Sequence, residues 1–306
     1  MKNILVIADT AEREQLALIK ALSMAKTTVA SIHVVIFCYE NLNIVTRQED
    51  ITESGMQEMI INRTKQWWES YLHSQQITIP IAYEVVWEKH ISQWVLDHCQ
   101  KTHYDLIVKT GHRSESLFYT PTDWRLFRKS SVPIYCVALE QKDVDNVVLV
   151  ALDLMAISDA KQQLNHRLLE AAFQLSLQTN CDLHCCYATE APILLSDIDL
   201  INPLSSSSFI TAQQTTGEQQ VATLARDTAR KQAVALTKDY DIDDDHIHIQ
   251  EGVPWRVLTS LGNDLKVRCF VLGTMGRTGI AGKLIGNTAE KVIHHTKKDL
   301  LVISPS

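Results

Sequence analysis

NVVLVALD, residues 146–153, repeats a pattern met at the start of the chain, NILVIAD, residues 3–9. Each is a run of aliphatic, mostly β-branched residues closed by an aspartate, Asp9 in one and Asp153 in the other. Such near-continuous apolar runs suit strands buried on both faces, as in a parallel sheet covered by helices. Three further pairs recur in the same order. HVVIFCYE (33–40) matches LHCCYATE (183–190), and WVLDHCQKTHYDLIVKTGHR (94–113) parallels RVLTSLGNDLKVRCFVLGTMGR (256–277). PIYCVALE (133–140) mirrors DLLVISPS (299–306).

Amphipathic stretches between these runs predict helices over Glu12–Lys26, Ser54–Ser74, Ile91–Lys101, Asn165–Thr179, Gly217–Asp239 and Val257–Leu265. Strands alternating with helices specify βαβ units, hence an α/β fold. Each half has the length of one doubly wound, Rossmann-like parallel-sheet domain. A repeat this long indicates internal duplication, since solenoid units run to about 20–50 residues. The joint falls at EQKDVDN (140–146), which sets the expected domains at 1–142 and 143–306.

The net charge is −7 and neither half is basic, which argues against nucleic acid as the main partner. No apolar run reaches the roughly 20 residues that span a membrane. The opening MKNILVIAD reads as a strand, not a signal peptide, so the expected location is the cytoplasm. Seven cysteines form no CxxC pair or ligand ladder; they read as reduced, small hydrophobes, with neither disulfide nor metal expected.

The chain has ten glycines, and half of them fall in GTMGRTGIAGKLIGN (273–287). Glycine serves where backbone needs positive φ or must approach another group closely. The segment is no Walker A loop, because Arg277 occupies the first glycine position and Leu284 replaces the hydroxyl. Nor is it a dinucleotide fingerprint, whose glycines follow the first strand of the unit. What remains is Gly273 and Gly276, then Gly286 and Asn287 opening a helix from Thr288, with Asn287 as its expected N-cap and Glu290 completing a capping box. A helix N-terminus offers unpaired N–H groups and a positive dipole end to a phosphate. The cluster follows the strand Cys269–Leu272, at the sheet edge where α/β folds bind ligands.

These residues resemble the universal stress protein family, whose nucleotide binders carry Gly-x2-Gly-x9-Gly-Ser/Thr after the fourth strand. Gly273, Gly276 and Gly286 match that spacing, and Asp153 matches the aspartate that ends the family's first strand. GRTG, GNTAEKVI and TPTDW are similar to the tandem-domain, UspE-like subgroup, and the resemblance spans both halves. It implies a ligand site at Asp153, Gly273, Gly276, Gly286, Asn287 and Thr288, with ATP or AMP as ligand. Asn287 departs from the pattern by standing where binders carry Ser or Thr. The resemblance also implies pairing of last strands, here Val132–Leu139 with Leu300–Ser304 in one chain, and further homo-dimerisation.

The first half has lost the loop. Lys109 stands where Gly273 does and His112 where Gly276 does, so side chains fill the space; Trp124 of TPTDW is the expected plug. The same stretch is locally basic through Lys109, Arg113, Arg125, Arg128 and Lys129, which reads as a solvated helix face or, if Arg113 and Arg125 converge, as an anion or acidic-partner patch flanked by aromatics. His246 and His248 share a strand face behind three aspartates, a pattern read as a loop before a strand rather than a metal site. Residues 191–220 form a long irregular stretch expected to cover the second-half cavity and accept an apolar ligand portion. No nucleophile elbow appears, so no enzyme is expected. The expected function is a cytoplasmic, non-enzymatic stress-response binder of a small phosphate-containing ligand. The alternatives are a ligand-free interaction scaffold, a binder of a phosphate ligand with an apolar tail, and a slow ATPase.

Overall fold

A computed structural model describes the chain except residues 10–13, 43–51, 78, 112–120, 140–144, 156–157, 190–210, 241, 275–285 and 306. The first repeat contains strands β1 (Asn3–Ile7), β2 (Ser31–Phe37), β3 (Ile81–Val86), β4 (Leu106–Thr110) and β5 (Ile134–Val137). Its helices are α1 (Leu16–Thr28), α2 (Glu53–Ser74), α3 (Ile91–Lys101) and α4 (Pro121–Lys129). The second repeat contains β6 (Val147–Ala151), β7 (Asp182–Thr189), β8 (Ile247–Glu251), β9 (Val267–Gly273) and β10 (Asp299–Ile303). Its helices are α5 (Asp159–Thr179), α6 (Thr211–Thr237), α7 (Pro254–Asp264) and α8 (Asn287–His295).

Contacts gather into two compact units. One lies within Met1–Lys142, Thr274–Ile285 and Lys297–Ser306, the other within Asp143–Gly273 and Gly286–Thr296. In the first unit the strand order is β3-β2-β1-β4-β5-β10. All neighbours are parallel except the last pair, where β10 runs antiparallel to β5 with Leu300 opposite Cys136 and Val302 opposite Ile134. The segments expected to pair therefore do so. In the second unit β9-β6-β7-β8 are parallel throughout. The α/β class with two duplicated, mostly parallel domains is as the repeat pattern indicates.

Central strands are apolar on both faces and are sealed on both. Ile4, Leu5 and Val6 of β1, and Val148, Leu149 and Val150 of β6, are each 0% exposed. Full burial of such a side chain stabilises by about 1.5–3 kcal/mol, so these strands anchor their units. Helix α1 closes with Val29 in the left-handed region at φ 55°, its N–H donating to Ala25 O, and α5 closes the same way at Asn180. Helix α6 begins at Thr211, inside the stretch expected to be irregular; residues 191–210 lie outside the described residues. Among the described residues no helix is long and apolar enough to cross a membrane. All seven cysteines are free, and burial pushes the Cys185 and Cys186 thiols up to about 12, far from thiolate reactivity.

The two units share a register. Leu5 pairs with His33 as Leu149 pairs with His184, and Ala8 N–H donates to Val35 O as Leu152 N–H donates to Cys186 O. Strand order reverses about β1 in the first unit and about β6 in the second. The switch points therefore lie between β1 and β4 and between β6 and β9, where a doubly wound fold binds its ligand.

Candidate functional site

In the second unit β6 and β9 lie side by side, Leu149 opposite Phe270 and Val150 opposite Val271, so their carboxyl ends bring Asp153 and Gly273 to one edge. An amide clamp fixes the aspartate. Its N–H donates to Asn165 Oδ1 at 3.0 Å, and Asn165 Nδ2 donates to Asp153 O at 2.8 Å. Lys161 Nζ lies 3.0 Å from the carboxylate, which stays 49% exposed. A half-exposed carboxylate paired with Lys161 therefore stands at the lip of the switch point.

Gly273 has a structural cause of its own. A Cβ there would lie 2.9 Å from Leu164 Cδ2 and 3.2 Å from Leu168 Cδ1, both on α5. The glycine lets a helix lie flush on its strand. Gly286 is the N-cap of α8, and its carbonyl accepts the first helical bond from Glu290 N–H at 3.0 Å. The helix thus starts one residue earlier than expected: Asn287 is its first residue and is exposed, and the cap is a glycine with no side chain to bond the turn. Thr288 is half-buried in the same turn. First-turn N–H groups of a helix lack intrahelical partners, and with the helix dipole they favour an anion. Gly276 lies outside the described residues.

At the corresponding place in the first unit the described side chains are buried. Asp9, the counterpart of Asp153, carries the same clamp: its N–H donates to Gln15 Oε1 and Gln15 Nε2 donates to Asp9 O. Yet Asp9 is only 3% exposed, and its carboxylate accepts a 2.6 Å bond from the Thr110 hydroxyl. Lys109, in the Gly273 position, is buried, pairs with buried Asp123 of α4 and donates to Thr110 O at 2.6 Å. Burial opposes its charge, but Cys136, Asp123 and Asp9 together outweigh that and raise its pKa. A buried Lys109–Asp123 ion pair thus stands where the second unit has Gly273. Trp124, the expected plug, is half-buried with its ring edge-on to Phe127. His112 and Arg113 lie outside the described residues, while Arg125 is tied to Gln93 by a hydrogen bond.

The family model described as "Universal stress protein family" matches residues 1–138 and again 146–304. The chain belongs to the universal stress protein family. Relatives named Universal stress protein E, from Salmonella typhi and Escherichia coli K12, are each 28% identical, over 99% of this chain and 94% of their own. A homolog of that protein from Haemophilus influenzae is 27% identical over 100% of this chain and 98% of its own. The fold is similar to a putative universal stress protein from Pseudomonas aeruginosa UCBPP-PA14, at TM-score 0.69 and 22% identity, over 99% of this chain and 93% of that one. A functionally unknown protein of Pseudomonas aeruginosa PAO1 gives TM-score 0.71 at 20% identity, over 99% and 92%. The universal stress protein architecture thus runs through both repeats.

Two side-chain clusters lie away from the switch points of this universal stress protein. In the first unit His33 of β2, Glu84 of β3 and His98 of α3 each bring one ligand-type atom within 4.8 Å of the others. The Tyr104 hydroxyl bridges the imidazoles, 2.5 Å from His33 Nδ1 and 2.9 Å from His98 Nε2. In the second unit His246 and His248 converge on His184 of β7, its ring centroid 3.9 Å from His246 and its Nδ1 2.9 Å from His248 Nε2. Burial, then His246 and His248, push the His184 pKa down to about 4. Sequence spacing showed the pair at 246 and 248; nothing local linked either cluster to β2 or β7.

Proposed function

We propose that the protein is a cytoplasmic, non-enzymatic stress-response binder of a nucleotide or other small phosphate-containing molecule. The ligand is held by the second repeat, residues 143–306, at Asp153, Gly273, Gly276, Gly286, Asn287 and Thr288. The contrast between the two switch points carries this reading. Asp153 is 49% exposed beside a glycine, whereas Asp9 is 3% exposed and bonded to Thr110, with a buried Lys109–Asp123 pair in the glycine's place. On this reading the α8 amides and the Thr288 hydroxyl bind phosphate, Gly286 lets the ligand come close, and Asp153 takes sugar hydroxyls. ATP and AMP are the ligands to try first. Binding would order the site and shift which surface is presented to a partner, including a second copy of the chain.

Calorimetric titration with ATP and with AMP tests it. One site per chain is expected, lost in Gly286→Val and kept in Asp123→Asn. No heat with either nucleotide, together with an unchanged melting midpoint, would reject the reading, since a ligand of the folded state raises stability.

A second reading, a ligand-free interaction module, has one observation behind it: Leu164 and Leu168 explain Gly273 by packing alone. The same titration separates the two.

A further inference from the structure

We infer that His33, Glu84 and His98 form a binding site for a divalent transition ion of the zinc class. The three donors sit on three packed elements, β2, β3 and α3, with ligand atoms within 4.8 Å of one another. Zinc takes imidazole nitrogen and carboxylate oxygen at about 2.0–2.2 Å, in tetrahedral array. Small rotations of these half-buried side chains close that gap. His33 Nε2 already lies 3.4 Å from Glu84 Oε1, close to the separation of two tetrahedral ligands on one ion.

The surroundings have the features that such a site needs. Metal-binding imidazoles are oriented through their other nitrogen. With His33 bound through Nε2, its Nδ1–H donates to the Tyr104 oxygen 2.5 Å away. Trp94 stacks on the His98 ring at 4.5 Å and 13°, and Phe37 meets Trp94 edge-on at 5.4 Å, which holds α3's donor against the sheet. One donor also faces an open groove. His98 also lines an open groove of about 430 Å³ with Glu88, Gln93, Trp94, Asp97 and Arg125. Two histidines and one glutamate leave the fourth position to water or to a ligand arriving by that groove, the arrangement of an open rather than a structural zinc site.

The second repeat places donors at the same two register positions. His184 takes the place of His33, and His248, opposite Cys186, takes the place of Glu84, which lies opposite Val35. There, however, His246 stacks face-on against His184, and among the described residues only the first-unit group meets the distance for a shared ion. The inference is confined to the first unit and stands independently of any nucleotide at the switch point.

The test is titration of the full-length, chelator-stripped protein with Co²⁺, followed by displacement with Zn²⁺. One equivalent giving an intense four-coordinate visible band is expected, weakened at least tenfold in Glu84→Gln and in His98→Gln and unchanged in His184→Gln. Zn²⁺ protection of the unaltered protein against histidine carbethoxylation, mapped by peptide mass, does not depend on a variant folding. His33 and His98 are expected to be protected and the exposed His90 and His103 are not. No saturable band, a band that survives both variants or is lost in His184→Gln, or equal modification of His33 and His98 with and without Zn²⁺ would overturn the site.

Discussion

Tyr135 and Asp299, 164 positions apart, are joined by a 2.5 Å hydrogen bond in which the tyrosine hydroxyl donates to a carboxylate that is 0% exposed. The other carboxylate oxygen accepts from Ala138 N–H at 2.8 Å, and Lys20 Nζ lies 3.2 Å from Oδ2 and 4.9 Å from the Tyr135 ring centroid. The antiparallel β5–β10 pair is thus locked by a satisfied buried charge, and the last strand of the second repeat belongs to the first unit. Leaving a buried polar group unsatisfied costs about 1–3 kcal/mol. Tyr135→Phe is expected to lower stability by that amount. Asp299→Ala, which strands a hydroxyl, an amide and an ammonium, is expected to cost more. Urea midpoints check both, and a loss below 0.5 kcal/mol for Asp299→Ala would contradict the lock.

Lys109 and Asp123 are a buried ion pair, so removing one partner leaves an uncompensated charge. Asp123→Leu or Lys109→Met alone is expected to cost about 3–5 kcal/mol, while the double variant is close to neutral. A double-mutant cycle in denaturant measures the coupling directly. Additive losses would mean that the plug is not held by this pair.

His184 and His248 both titrate below the ordinary imidazole value, chiefly through burial, and His184 does so at about 4. Unfolded, each takes a proton near pH 6.5. The unfolded chain therefore binds more protons in this window, and the stability that these groups contribute is whole above about pH 6.5 and lost as pH falls toward 4. Melting midpoints from pH 7 to 5 should fall, with a shallower slope in His184→Phe. An identical slope in that variant would remove His184 from the account.

Gly262 of α7 faces Phe270 of β9 so closely that a Cβ would lie 2.2 Å from the ring's Cζ. Alanine gains about 1 kcal/mol of helix propensity, but over-packing against a ring that is 1% exposed costs about 1–3 kcal/mol. Gly262→Ala is expected to be net destabilising and to be rescued by Phe270→Leu. A melting midpoint at or above that of the unaltered chain would show that the ring moves aside.

Much of the fold was legible because the repeated apolar runs are continuous: NILVIAD and NVVLVALD both became central strands. Strand β3 escaped notice because Ile81–Val86 lies at the sheet's edge, half-buried, with Tyr83 and Glu84 breaking the apolar run. The start of α6 at Thr211 was hidden by its polar composition, which carries no 3.6-residue stripe. The helix start at α8 was legible from a local motif, though its cap is Gly286 and not Asn287, and nothing local linked Asn165 to Asp153. A side chain in place of Gly273 was foreseeable from Lys109, but its partner Asp123 was not: two charges buried together look in sequence like any charged loop. His33, Glu84 and His98 meet only through strand pairing and a helix crossover, which spacing along a chain cannot encode.

Photo-crosslinking with azido-ATP, with labelled peptides mapped by mass spectrometry, tests the open-and-closed pair of switch points most directly. Adducts should fall in peptides spanning Asp153 or 273–290, and excess unlabelled ATP should abolish them. Label in peptides spanning Asp9 or 109–129, or label that excess ATP does not compete away, would contradict the assignment.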